Sequence, residues 1–223
     1  MRLPLLVLLW SSVAMAAPHH EPPKKVILAP GYSELTFTAP APGSYQLPPL
    51  RDAVDGKTIN TDGEEVALHD LLGDKFVVLG FIYTRCDDVN GCPLASYVMK
   101  RVQERVLQDE SLRDFVRLIS ISFDRANDTP AVLKQYGGNF RADGFDWQFL
   151  TTPDDAALKA ILEGYDQFVI PDVNEKGEQI GTLSHILRVY LIDQHRQVRN
   201  IYSVSFLHPD IIINDIRTIA AGD

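Results

Sequence analysis

Cysteine is scarce, two in 223 residues, which excludes a fold stapled by several disulfides. Basic residues are outnumbered, 21 Lys and Arg against 30 Asp and Glu, for a formal charge of −9 at pH 7. With no basic field to release phosphate counterions, no nucleic acid is expected as a partner, and an anionic membrane surface is a poor one. No apolar run reaches the ~20 residues of a spanning helix. There is no internal repeat, and the one biased tract is rich in proline. What remains is ordinary for a single globular domain, with 45% hydrophobic and 23% charged residues. At this length folding buries roughly 70% of the chain's surface, so a core needs no staples.

Residues 1–16 read as a signal peptide. Arg2 supplies the positive start, residues 3–13 are mostly apolar, and Ala14-Met15-Ala16 has the small-x-small ending that signal peptidase recognises. The protein is therefore expected to be exported, periplasmic if bacterial, with no stable membrane insertion after signal removal. An uncleaved anchor is the alternative. Eight of the fourteen prolines fall in residues 17–50, which read as a proline-rich arm or linker because proline lacks an amide donor and fixes φ. Its opening, Ala17-Pro18-His19-His20, suggests an N-terminal copper chelate, but Pro18 has no amide proton to lose, so the four-nitrogen plane cannot close. His19 and His20 then read as solvated tail residues, with a looser two-histidine site as the alternative.

From residue 51 to residue 223 the pattern alternates between strands and helices. Asp55-Gly56 and Asp62-Gly63 frame a small hairpin of residues 57–61 and 65–68. Residues 76–83 form an unbroken apolar run, the mark of a central strand buried on both faces. Leu94, Val98, Val102 and Val106 recur at helical spacing over residues 93–108. A second strand is expected at residues 115–123, a helix capped by Thr129 and opened by Pro130, and a short strand at residues 147–150. Residues 153–168 read as a helix and residues 169–183 as a polar surface excursion. Strands at residues 186–192 and 198–204 and a closing helix from Pro209 complete an α/β sheet layered between helices.

Chemistry concentrates in one loop. Cys86 and Cys92 lie between the buried strand and the first helix, where unpaired N–H groups and the helix dipole favour thiolate. Asp87 and Asp88 oppose that ionisation and Arg85 partly offsets them. The spacing leaves three uses open: a plain disulfide, a redox-active pair and a pair of soft-metal ligands. A bridge across so short a loop gains only ~2 kcal/mol from chain entropy.

Phe81-Ile82-Tyr83-Thr84-Arg85-Cys86, followed after five residues by Cys92-Pro93-Leu94, resembles the cysteine loop of the Sco/SenC proteins. Ser120-Ile121-Ser122-Phe123-Asp124 and Asp128-Thr129-Pro130-Ala131-Val132-Leu133 are similar to that family's second strand and helix entry. Ser184-His185 running into Val189-Tyr190-Leu191-Ile192-Asp193 resembles the segment carrying its histidine ligand. The likeness covers about residues 50–220.

The resemblance implies a thioredoxin-like central sheet flanked by helices, with the N-terminal hairpin and proline-rich arm outside it. It implies a copper ion held by Cys86, Cys92 and His185, a donor set whose softness suits Cu(I). It further implies a metallochaperone that delivers copper to a respiratory oxidase subunit, at the copper A centre, and a thiol reductant such as a thioredoxin-like protein to keep the pair open. The alternative is a thiol-disulfide oxidoreductase. Two features depart from the pattern: five residues rather than three separate the cysteines, with Asp87 where a proline is common, and Ser184 replaces an acidic residue. His69, His195 and His208 read as solvated or capping, Asp124 and Asp128 as turn and cap residues, and Met99 as packing.

Overall fold

The computed structural model describes residues 26–222; the expected signal peptide at residues 1–16 and the His19-His20 pair lie outside them. Ten strands and four α-helices are assigned among the described residues: β1 Arg51–Asp52, β2 Lys57–Ile59, β3 Glu65–Ala67, β4 Phe76–Ile82, α1 Cys92–Gln108, β5 Val116–Ser122, α2 Pro130–Gly138, β6 Trp147–Leu150, α3 Asp155–Gly164, β7 Val169–Val173, β8 Gln179–His185, β9 Arg188–Ile192, β10 Gln197–Ser203 and α4 Pro209–Gly222. The main sheet has the order β1-β10-β9-β4-β5-β6. β4, β5 and β6 run parallel, while β9 is antiparallel to β4 and β10 to β9. All seven residues of β4 are buried, as its unbroken apolar run requires.

Successive side chains of a strand point to opposite faces, and this sorts the helices. Gly80 faces Met99 of α1, and its sheet neighbour Ser120 accepts a hydrogen bond from Trp147 Nε1. Phe149 lies on that same face, against Gly137 of α2. Tyr202 does too, reaching Asp215 of α4. Phe81 points the other way, onto Tyr165 at the end of α3 and onto Tyr190. Three helices therefore cover one face and α3 the other. Thr129 and Asp154 cap α2 and α3 by accepting from Val132 N–H and Ala157 N–H. No helix among the described residues is long and apolar enough to cross a membrane.

Two expectations are corrected. Residues 169–183 lie at the surface as expected, but the excursion holds strands that were not expected: β7 and β8 pair as an antiparallel hairpin whose turn is built by Asn174. The Asn174 side chain accepts from Lys176 N–H and Glu178 N–H, and Gly177 takes a left-handed φ of 79°. Polar, exposed strand residues hid the alternation that would have announced it. The third helix stops at Gly164 rather than Phe168, because Asp166 turns the chain with φ 51° and sends Gln167 inward to donate to Tyr190 Oη.

Residues 26–50 run along the domain rather than away from it. Gly43 N–H donates to Thr218, Tyr45 Oη to Asp215, and Leu47 O accepts from Arg199. Pro30–Tyr32 form a 3-10 turn with Gly31 buried at its centre. A Cβ on Gly31 would meet Leu207 O at 2.3 Å, so only glycine fits the approach.

Candidate functional site

The site grows from the carboxyl ends of β4 and β5, where open α/β sheets place their ligands. β4 ends at Ile82 opposite Ser122 of β5, so the loops carrying Cys86 and Asp128 leave the sheet side by side. β9 runs antiparallel to β4 with Val189 opposite Gly80. That register brings the residues just before β9, and with them His185 at the end of β8, to the same end of the sheet. His185, just ahead of the strand expected at residues 186–192, is the last residue of β8.

Of the three expected ligands, Cys86 and His185 line one cleft and Cys92 is buried against His185. Cys92 opens α1 and is 1% exposed, while Cys86 is half-buried on the loop, and both are free thiols. Cys92 Sγ lies 3.8 Å from His185 Nε2 and accepts Tyr83 N–H at 3.4 Å. The imidazole packs on Phe123, ring centres 4.7 Å apart, and edge-on to Tyr83 at 6.4 Å. A cleft of about 260 Å³ lies over these groups, lined among others by Cys86, Asp87, Asp88, Asp172 and His185. Two ligands bonded at ~2.3 and ~2.0 Å to one ion, at about 120°, stand about 3.7 Å apart. Among the described residues, however, no three His, Cys, Asp or Glu side chains already surround a point able to hold a metal.

The two thiols differ in acidity. A hydrogen bond from the Cys92 thiol, joined by backbone N–H groups of Cys92 and Asp88 and by the Tyr83 hydroxyl, outweighs burial and lowers Cys86 to about 6. The same bond, together with burial, pushes Cys92 up. Burial lowers His185 against a hydrogen bond to the Leu183 backbone and the charge of Asp88, so the ring is neutral at pH 7, the form that ligates metals. Burial also drives Tyr83 up to about 12, keeping its phenol protonated.

A buried carboxylate braces the cysteine loop. Asp128 is fully buried and accepts Thr84 N–H at 3.0 Å, Thr84 Oγ1 at 2.5 Å and Ser122 Oγ at 2.5 Å. Beside it Arg85 reaches Asp124 at 2.8 Å. Asp128 thus does more than enter the next helix: it fixes the residue two before Cys86. Asp172 receives Thr182 Oγ1 and Ser184 Oγ, both at 2.6 Å, which holds its carboxyl low and stiffens the hairpin bearing His185. These braces escaped sequence reading, because they join separate elements: Asp128 reaches back 44 residues to Thr84 as well as 6 to Ser122, and Asp172 reaches 10 to 12 residues ahead. An acidic residue directly before a Thr-Pro helix entry is the one local signal for Asp128.

The remaining candidates stay outside the cleft. His69 Nε2 bonds Ala53 O, and His195 is exposed. His208 is not solvated: it is 2% exposed, its Nε2 donates to Ser33 O, and its Nδ1 accepts Asp210 N–H at the start of α4. Met99 is buried against Ser120.

The chain is 30% identical over 173 residues to the SCO1 protein homolog of Bacillus subtilis (strain 168), covering 76% of this chain and 84% of that one. Its fold is similar to ScoI of Bradyrhizobium japonicum with copper bound, at TM-score 0.60 and 25% identity over 74% of this chain and 98% of that one. It is also similar to BsSco, described with a disulfide switch as a member of the Sco family of cytochrome c oxidase assembly proteins, at TM-score 0.62 and 27% identity over 80% of this chain and all of that one. With the SCO1/SenC family model matching residues 55–221 as well, the chain belongs to the SCO1/SenC family.

Proposed function

We propose that this protein is an exported copper metallochaperone that carries its ion on Cys86, Cys92 and His185 and delivers it to an oxidase subunit during assembly of the copper A centre. The observation that carries this reading is the 3.8 Å approach of Cys92 Sγ to His185 Nε2 across 93 residues of sequence, with Cys86 on the same cleft. Two sulfurs and an imidazole are a soft donor set that suits Cu(I), and a further donor or water lets the same set hold Cu(II). Asp87, Asp88 and Asp172 give the cleft an acidic mouth that concentrates cations. The copper-bound relative and the relative that assembles cytochrome c oxidase support the cargo and the destination. Loading requires the cysteine loop to close on the ion, and a thioredoxin-like reductant to keep the pair open outside the cytoplasm. His185→Ala is expected to lose tight copper binding by the reduced protein while Cys86 and Cys92 still oxidise to a disulfide. Unchanged copper stoichiometry and affinity in that variant would refute the reading.

One observation favours a second activity, thiol-disulfide exchange. A half-exposed low-pKa thiol beside a buried thiol held protonated is the division of labour of an attacking and a resolving cysteine. Cys86 thiolate attacks a partner disulfide, and Cys92, deprotonated as it reacts, displaces the partner and closes the Cys86–Cys92 bond; the pair's two electrons leave with the partner dithiol. This chemistry does not need His185. A mixed disulfide trapped by Cys92→Ser is its expected sign.

A further inference from the structure

We infer that the segment from Ile27 to Ser33 is a strap on the loop between the two cysteines, and that Asn90 is the positioning residue through which it biases the pair toward the open dithiol. The inference rests on the reading of Cys86 and Cys92 as a pair that opens and closes. Asn90 presents both ends of its amide to the arm: Oδ1 accepts Ala29 N–H and Nδ2 donates to Ile27 O, each at 2.8 Å. Its neighbour Val89 offers its carbonyl to Tyr32 Oη at 2.5 Å. Three bonds thus tie two consecutive loop residues to backbone and side chain 57 to 63 positions away.

The strap itself is anchored. Gly31 is wedged against Leu207 O and Val98, the Tyr32 ring lies 4.9 Å from that of Tyr97 on α1, and buried His208 donates to Ser33 O. The loop side is internally stiff as well, since Asn90 N–H and Gly91 N–H both bond to Asp88.

Bridging moves one sulfur, and the surroundings say which. A disulfide needs its sulfurs about 2.05 Å apart, well inside hydrogen-bonding distance. Cys92 sits in the first turn of α1 with its sulfur pinned by Tyr83 N–H, so Cys86 must travel, and with it the stiff turn that ends at Gly91. Cys86 Sγ already lies beside this turn, since a Cβ added to Gly91 would stand only 3.3 Å from it. Drawing the turn inward pulls Val89 and Asn90 off the strap. Bonds made in the dithiol and strained in the disulfide favour the dithiol, and removing them reverses the bias.

The test is equilibration of the purified full-length mature protein with glutathione buffers, the disulfide fraction being read by thiol alkylation. As the Cys86–Cys92 bond forms, the two thiols pass two electrons and two protons to glutathione disulfide, which becomes two molecules of glutathione. Asn90→Ala is expected to shift the equilibrium toward the disulfide by about fivefold to tenfold, the upper figure being about 30 mV for a two-electron couple. Tyr32→Phe, which keeps the ring on Tyr97 and loses only the hydroxyl, is expected to shift it the same way by less. It carries the test should Asn90→Ala not fold. In the unmodified protein, Ala29 N–H is expected to exchange more slowly in the dithiol than in the disulfide. Wild-type midpoints in both variants, a shift toward the dithiol, equal exchange at Ala29, or a wild-type pair that takes no disulfide at all would each overturn the inference. Copper takes no part in the measurement, so its outcome and that of the copper reading are independent.

Discussion

Cys86 and Cys92 carry the same group in different surroundings, and the surroundings divide their work. Cys86 accepts hydrogen bonds as a thiolate at the mouth of the cleft, while Cys92 donates one from inside the first helical turn. A lowered pKa means thiolate at any pH above it. Alkylation of Cys86 in the reduced protein should therefore rise through about pH 6 and level off before pH 8, with Cys92 lagging throughout. Mass spectrometry after brief iodoacetamide pulses reads this directly, and a Cys86 midpoint near the free-thiol value of about 8.5 would contradict the hydrogen bonding described here. Both cysteines were visible in the sequence because they are the only two. His185 became a candidate through the segment it sits in, since nothing about a lone histidine sets it apart. Asn90 and Asp128 were illegible as site residues: each ties its loop to a partner 44 to 63 positions away, and local patterns carry no such information.

At the scale of elements, the site is a junction of loops whose rigidity comes from the strands beneath. β4 and β5 end in register, β9 returns beside β4, and Asp128 ties the first loop to the second. Asp128→Ala would leave Thr84 N–H, the Thr84 hydroxyl and the Ser122 hydroxyl without their acceptor. We expect it to lower the free energy of unfolding by about 3 kcal/mol, measured by urea denaturation, and to weaken copper binding because Cys86 loses its brace. A wild-type unfolding curve would mean that the buried carboxylate is not the brace. Buried strands and amphipathic helices were readable because burial on both faces or on one stripe writes itself into residue order. The β7–β8 hairpin was not, because both its faces meet solvent over much of its length and its strand residues mix Pro171, Asp172 and Gly181 with exposed Ile170 and Ile180.

Over the whole molecule, a net charge of −9 and an acidic cleft mouth suit a carrier that attracts cations. The layering of a sheet between helices follows from the alternation of strands and helices seen in the sequence. The path of the proline-rich arm does not, because proline content says where regular structure is unlikely and not where the chain lies. Its contacts with α4, β10 and the cysteine loop are tertiary, made by single groups such as Gly43, Leu47 and Tyr32. The central claim is that two sulfurs and one imidazole share a single ion. X-ray absorption at the copper edge on the reduced, copper-loaded protein tests it most directly: one copper per chain with sulfur scatterers from both cysteines and one histidine nitrogen is the predicted spectrum. A spectrum with no sulfur in the coordination shell, or one whose histidine contribution persists in His185→Ala, would contradict it.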